Sequence, residues 1–142
     1  MRPFDADGTP LAEPRTLAPQ TDVLPAIDMA AGGEFVVTLG RTEAENEDNF
    51  DQEPPSFLLF DANFDPVFET PVVIDDTLGN TPYAILSALA LNPNGEFVVA
   101  YVDTEIFSYT RTRYLRLRAF SPEAQPLSQP VEVDSATVWG LE

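Results

Sequence analysis

Carboxylates are the chemistry this sequence has in excess. It carries 24 Asp and Glu against 7 basic residues, all Arg, and its formal net charge is −17. It has no Cys, no His and no Lys. Those absences remove whole classes of mechanism. Without Cys there is no disulfide, no thiol nucleophile and no Cys-ligated zinc or iron–sulfur site. Without His there is no Ser-His-Asp or Cys-His relay, and the commonest transition-metal ligand is missing. Without Lys there is no Schiff base and no Walker lysine. Two common site chemistries remain: hard-cation binding through carboxylate oxygens and hydrolysis by a carboxylate pair.

Three groups of residues have the composition for such work. The segment from Glu43 to Glu53 holds six acids and two Asn. Glu45, Glu47, Asp48 and Asp51 are its candidate calcium ligands, since calcium takes several oxygens. The spacing matches no EF-hand, and a solvated acidic loop explains the same residues without an ion. No other cofactor is expected. The second group is Arg111-Thr112-Arg113-Tyr114-Leu115-Arg116-Leu117-Arg118, with four of the seven Arg. On a strand, Tyr114, Arg116, Arg118 and Phe120 share one face and could bind an acidic sugar or another anion. The competing expectation pairs these Arg with Glu132 and Asp134 across a sheet. For a carboxylate-pair hydrolase the candidates are Asp22, Asp28, Asp75 and Asp76, although their spacing selects no pair.

The elements that must position these residues follow from a repeat. Fourteen prolines leave little room for long helices. Gly33-Glu34-Phe35-Val36-Val37 recurs as Gly95-Glu96-Phe97-Val98-Val99. A second element occurs three times, starting at Phe4-Asp5-Ala6-Asp7-Gly8, Phe60-Asp61-Ala62-Asn63-Phe64 and Phe120-Ser121-Pro122-Glu123-Ala124, each reaching Pro and an aliphatic residue. Acids at Asp5 and Asp7 invite a calcium reading. The third copy replaces them, so the turn is expected to be structural, with Asp capping local amides.

Between these punctuation marks the chain reads as short strands. The expected set is 26–30, 34–41, 56–61 and 72–75, then 85–91, 96–103, 113–120 and 131–134. Phe-Val-Val is apolar at consecutive positions, which marks a strand covered on both faces. The turn Asn92-Pro93-Asn94-Gly95 suits a type I turn with a glycine bulge.

The fold class expected is all-β. Four-stranded units of about 50–60 residues with tight turns read as β-propeller blades. Residues 1–17 would be a half blade, 26–75 and 85–134 whole blades, and 135–142 the start of another around Val138 and Trp139. The pattern resembles a repeat of bacterial extracellular and cell-surface proteins, roughly Phe-Asp-x-x-Gly-x-Pro-Leu followed by Gly-Glu-Phe-Val-Val and a Trp two residues on. The chain departs from it at Leu39 and Tyr101, which stand for that Trp, and at Phe64, which stands for the turn Gly. The resemblance implies a propeller from a secreted or surface protein. Two and a half blades do not close a ring. The remaining blades would come from a longer chain or from several copies, and the alternative is an open sheet or sandwich.

All the long connections, 18–25, 42–55, 76–84 and 104–112, are expected at one end of the blades, where binding residues would gather. The function expected is a non-enzymatic binding or scaffold module with a protein or carbohydrate partner. The alternative is part of a carboxylate-dependent glycoside hydrolase. The negative charge disfavours nucleic acid and anionic membrane surfaces as partners and suits basic ones. The longest apolar stretch, 83–91, is too short to span a bilayer, and no signal-peptide pattern opens the chain.

Overall fold

β-branched and aromatic residues crowd the segments between the prolines, and in the computed structural model those segments pair with their sequence neighbours. It describes residues 4, 7–10, 13–14, 16, 25–39, 54–76, 87–107 and 110–139. Strands β1 (Ile27–Met29), β2 (Phe35–Leu39), β3 (Ser56–Phe60) and β4 (Val72–Val73) form one antiparallel sheet in the order β1-β2-β3-β4. Strands β5 (Ser87–Leu91), β6 (Phe97–Phe107), β7 (Thr110–Phe120) and β8 (Val131–Trp139) form a second in the order β5-β6-β7-β8. Each sheet is thus a simple meander, and no helix occurs among the described residues. The protein is all-β.

The repeat is visible in the turns. In all three Phe-to-Pro elements the ends bridge: Phe4 with Pro10, Phe60 with Pro66 and Phe120 with Pro126. In the second, Asp61 Oδ1 accepts from the amides of Asn63 and Asp65, both at 2.9 Å. In the third, Ser121 Oγ accepts from Glu123 and Gln125 at 3.2 and 3.3 Å. The capping role survives the loss of the acid, so the turn is structural. Gly8 has φ 80°, and Phe64 and Ala124, which occupy its position, keep φ at 66° and 60°. The β5–β6 turn forms as expected: Asn92 Oδ1 accepts from Asn94 and Glu96, and Gly95 takes φ 84°.

The second unit corrects two boundaries. Residues 104–112 were expected as a long irregular connection, but β6 and β7 run on until Phe107 pairs with Thr110. Residues 135–139, expected to open a further blade, continue β8 and pair with β7 as far as Trp139 opposite Thr110. Residues 110–116, Thr-Arg-Thr-Arg-Tyr-Leu-Arg, are rich in strand formers, and pairing with β6 and β8 supplies partners for their backbone groups on both edges. A register shift between Leu115 and Arg116 marks a bulge against β8.

The two sheets stack, with β1 and β2 against β5. One face of the first sheet presents Val36, Phe57, Leu59 and Ile74 to Phe97, Val99, Tyr101 and Phe120 of the second, and all are buried. The ring of Phe57 meets Phe97 and Phe120 edge-on at 5.0 Å each. Such contacts add about 0.5–1.5 kcal/mol per pair beyond burial. The first sheet's other face buries Phe35, Val37, Leu58 and Phe60. There Phe35 stacks on Phe60 at 4.7 Å, as Phe97 stacks on Phe120 at 5.2 Å. Both pairs are cross-strand partners in register. Phe-Val-Val is accordingly covered on both faces in β2. In β6 it is not, because Val98 stays 39% exposed.

Candidate functional site

Strict alternation along β6 turns Phe97, Val99, Tyr101 and Asp103 towards the first sheet. On β7, Arg116, Arg118 and Phe120 face the same way, with Tyr101 opposite Arg116 and Val99 opposite Arg118. Past β4, Ile74 is tied by its amide to Pro55 O at 2.7 Å, which holds Asp75 and Asp76 against this face. The apolar seam therefore ends in a polar cluster at the end of the sheets from which the connections 40–53 and 77–86 leave.

The cluster is closely bonded. The Tyr101 hydroxyl donates to Asp75 Oδ2 at 2.5 Å. Arg116 Nη1 lies 3.4 Å from Asp103 Oδ2 and 3.8 Å from Asp75 Oδ2. Asp75 and Asp103 are buried, whereas Arg116 keeps a fifth of its side chain exposed. Arg118 Nη1 donates to Ile74 O at 2.7 Å and lies 3.4 Å from Asp76 Oδ1, while its Nε donates to Ser128 O at 3.2 Å. Burial, the hydrogen bond to Asp75 and the charge of Asp75 together push the Tyr101 phenol well above its ordinary range. The guanidiniums stack over aromatic rings, Arg116 on Tyr114 at 5.2 Å and Arg118 on Phe120 at 5.8 Å.

Tyr114, Arg116, Arg118 and Phe120 do share a face, as the strand pattern predicts. For Arg116 and Arg118 the expected cross-strand pairing with Glu132 and Asp134 is corrected. Glu132 stands opposite Arg116 in register, yet Arg116 reaches Asp75 and Asp103 instead. The reason is burial: Glu132 is solvated on the outer strand, whereas Asp75 and Asp103 in the seam are buried carboxylates that need a cation. Asp134 is carried past Arg116 by the bulge and stands opposite Leu115.

The hydrolase candidates separate. Asp28, on β1, accepts from the Leu91 amide of β5 at 2.7 Å and joins the two first strands. Asp75 lies beyond β4, three strand spacings or about 14 Å across the sheet, wider than a glycosidase pair. Asp76 is 79% exposed at its side chain and pairs with Arg118. Asp22 and the calcium candidates Glu45, Glu47, Asp48 and Asp51 lie outside the described residues. Among the described residues no three acids gather as a cation site.

Sequence reasoning missed Tyr101 and Asp103. The signal was present: Phe-x-Val-x-Tyr-x-Asp on one strand faces Arg-x-Arg-x-Phe on the next, and both alternations run into the same core. Chemically, the arrangement can lock two sheets together. It can also present one face of Arg116 and Tyr114 to an anion at the exposed edge of the seam. Compared with known proteins, the chain matches no family model, no curated protein and no solved structure.

Proposed function

We propose that the protein is a non-enzymatic binding or scaffold module. Its four-stranded units would be arranged as β-propeller blades, and its setting would be a bacterial secreted or cell-surface protein. The observation that carries this reading is the use made of the buried acids. Asp75 of the first unit is engaged by Tyr101 and Arg116 of the second and so holds one repeat to the next, while Asp103 holds the same Arg116 from within the second unit. An acid–base pair instead needs two carboxyls open to a substrate and a water. The repeat supports the propeller part, since each unit is a four-stranded meander that buries one face against its neighbour. Binding would fall to the end of the sheets that carries the long connections, with a protein or a carbohydrate as partner. Calcium at Glu45, Glu47, Asp48 and Asp51 belongs to the same proposal.

Native electrophoresis through gels cast with neutral and acidic polysaccharides tests this reading. The same polysaccharides are assayed for new reducing ends. Retardation without new reducing ends supports a binding module. Release of reducing ends that disappears in Asp75→Asn assigns the protein to the hydrolase class instead.

A further inference from the structure

Among the described residues, one face of the second sheet is left partly exposed around Val98, and the repeat suggests what would cover such a face. Residues opposite each other in register share a face. Ala90, Val98 and Ala119 are therefore neighbours, and so are Leu117 and Val131. With Leu115 they form an apolar strip across four strands, bordered by Asp134 opposite Leu115. Val98 is 39% exposed, Leu115 37% and Val131 55%. Val98 is the repeat counterpart of Val36, whose exposure is 0%. Val36 is covered because the following unit lays Phe97, Val99 and Phe120 on its face. That covering face is itself repeated: Phe35, Val37 and Phe60 occupy the same positions in the first unit and are buried as well. Each unit thus turns a face with two Phe backwards along the chain and a mainly aliphatic face forwards, Phe57 being the aromatic residue on the forward face of the first unit.

We infer that the Val98 face is a docking surface for a further four-stranded unit of this same repeat. The incoming unit presents Phe-x-Val from its second strand and Phe from the end of its third. This inference deepens the stacked-repeat reading above and rests on it. The interface it needs already exists once in the molecule, between Val36 and Phe97, and the contact is heterologous, so each unit that docks presents the same kind of face to the next. A second copy of this chain is a poorer occupant, because its Phe35 face is buried within its own fold.

The absence of Cys makes the test direct. Val98→Cys is made in the full chain and in an extended chain that repeats residues 83–142 once after Glu142. Thiol labelling is timed in both, with Val36→Cys as the covered benchmark and Val67→Cys as the exposed one. The inference predicts rapid labelling at position 98 in the full chain. In the extended chain it predicts slowing by at least about tenfold, towards the Val36→Cys rate, because a docked face must open before it reacts. Val67→Cys stays fast in both. Unchanged labelling at position 98 in the extended chain overturns the inference. If the added unit then shows hydrogen-exchange protection, only the docking fails; if it shows none, the stacked-repeat reading fails too. Protection in the unextended chain that grows with concentration also overturns it, by making a second copy the occupant.

Discussion

Tyr101 of the second sheet donates its hydroxyl proton to Asp75 of the first at 2.5 Å, inside the seam that joins the two repeats. The bond crosses from one unit to the next, so its loss registers as weaker coupling between units. Tyr101→Phe is expected to lower stability by about 1.5–3 kcal/mol, the range for a hydrogen bond to a charged group. Urea unfolding measures it.

The same pair sets a pH dependence. The phenol of Tyr101 is raised above its ordinary 10.0 by burial first and by Asp75 second. The unfolded chain releases this proton as pH passes its ordinary value, while the folded chain retains it. The stabilisation is therefore complete below pH 10.0 and is lost as pH rises further. The stability difference between the parent and Tyr101→Phe should shrink above about pH 10. A constant difference between pH 9 and 11 would count against the assignment.

Arg116 is shared by two buried acids. Arg116→Met leaves both without that cation and is expected to cost about 3 kcal/mol, the low end for a broken buried pair. The low end applies because Arg116 is itself partly solvated. Adding Asp103→Asn to Arg116→Met should recover part of the loss, measured by the same unfolding curves.

Thr104 is fully buried, and its Oγ1 has no hydrogen-bond partner. Thr104→Val removes an unsatisfied hydroxyl at nearly constant volume. Stability should rise by about 1 kcal/mol, read as a higher urea midpoint at unchanged slope.

Gly33 has φ 95°, and a Cβ there would stand 3.1 Å from Ala62 Cβ. Gly8 has φ 80° but open space around the same position. Gly8→Ala should cost about 1–2 kcal/mol from the backbone alone. Gly33→Ala should cost more, because the turn must also move away from Ala62. Thermal unfolding of the two variants gives the comparison.

Much of the fold was legible because the repeat states it twice. Gly-Glu-Phe-Val-Val and the Phe-to-Pro turns located β1 to β5 within a few residues, and Asp61 and Ser121 cap the same amides although their chemistry differs. The long β6–β7 ribbon was not legible, since Thr104 to Thr112 mixes polar and apolar residues with no turn signal. The site was legible only in part. The shared face of Tyr114, Arg116 and Arg118 followed from strand alternation. Their partners did not, because Asp75 lies 41 residues before Arg116 in the chain and meets it only when the sheets stack. Local pairing rules favoured Glu132, and tertiary burial overrode them.

The central claim is that Asp75 and Asp103 serve the seam between repeats and not a reaction. Urea unfolding of Asp75→Asn and Asp103→Asn tests it most directly. Structural carboxylates lose stability when neutralised, whereas catalytic ones held for function commonly gain it. Lower unfolding midpoints for both variants are the predicted result. A raised midpoint for either would contradict it.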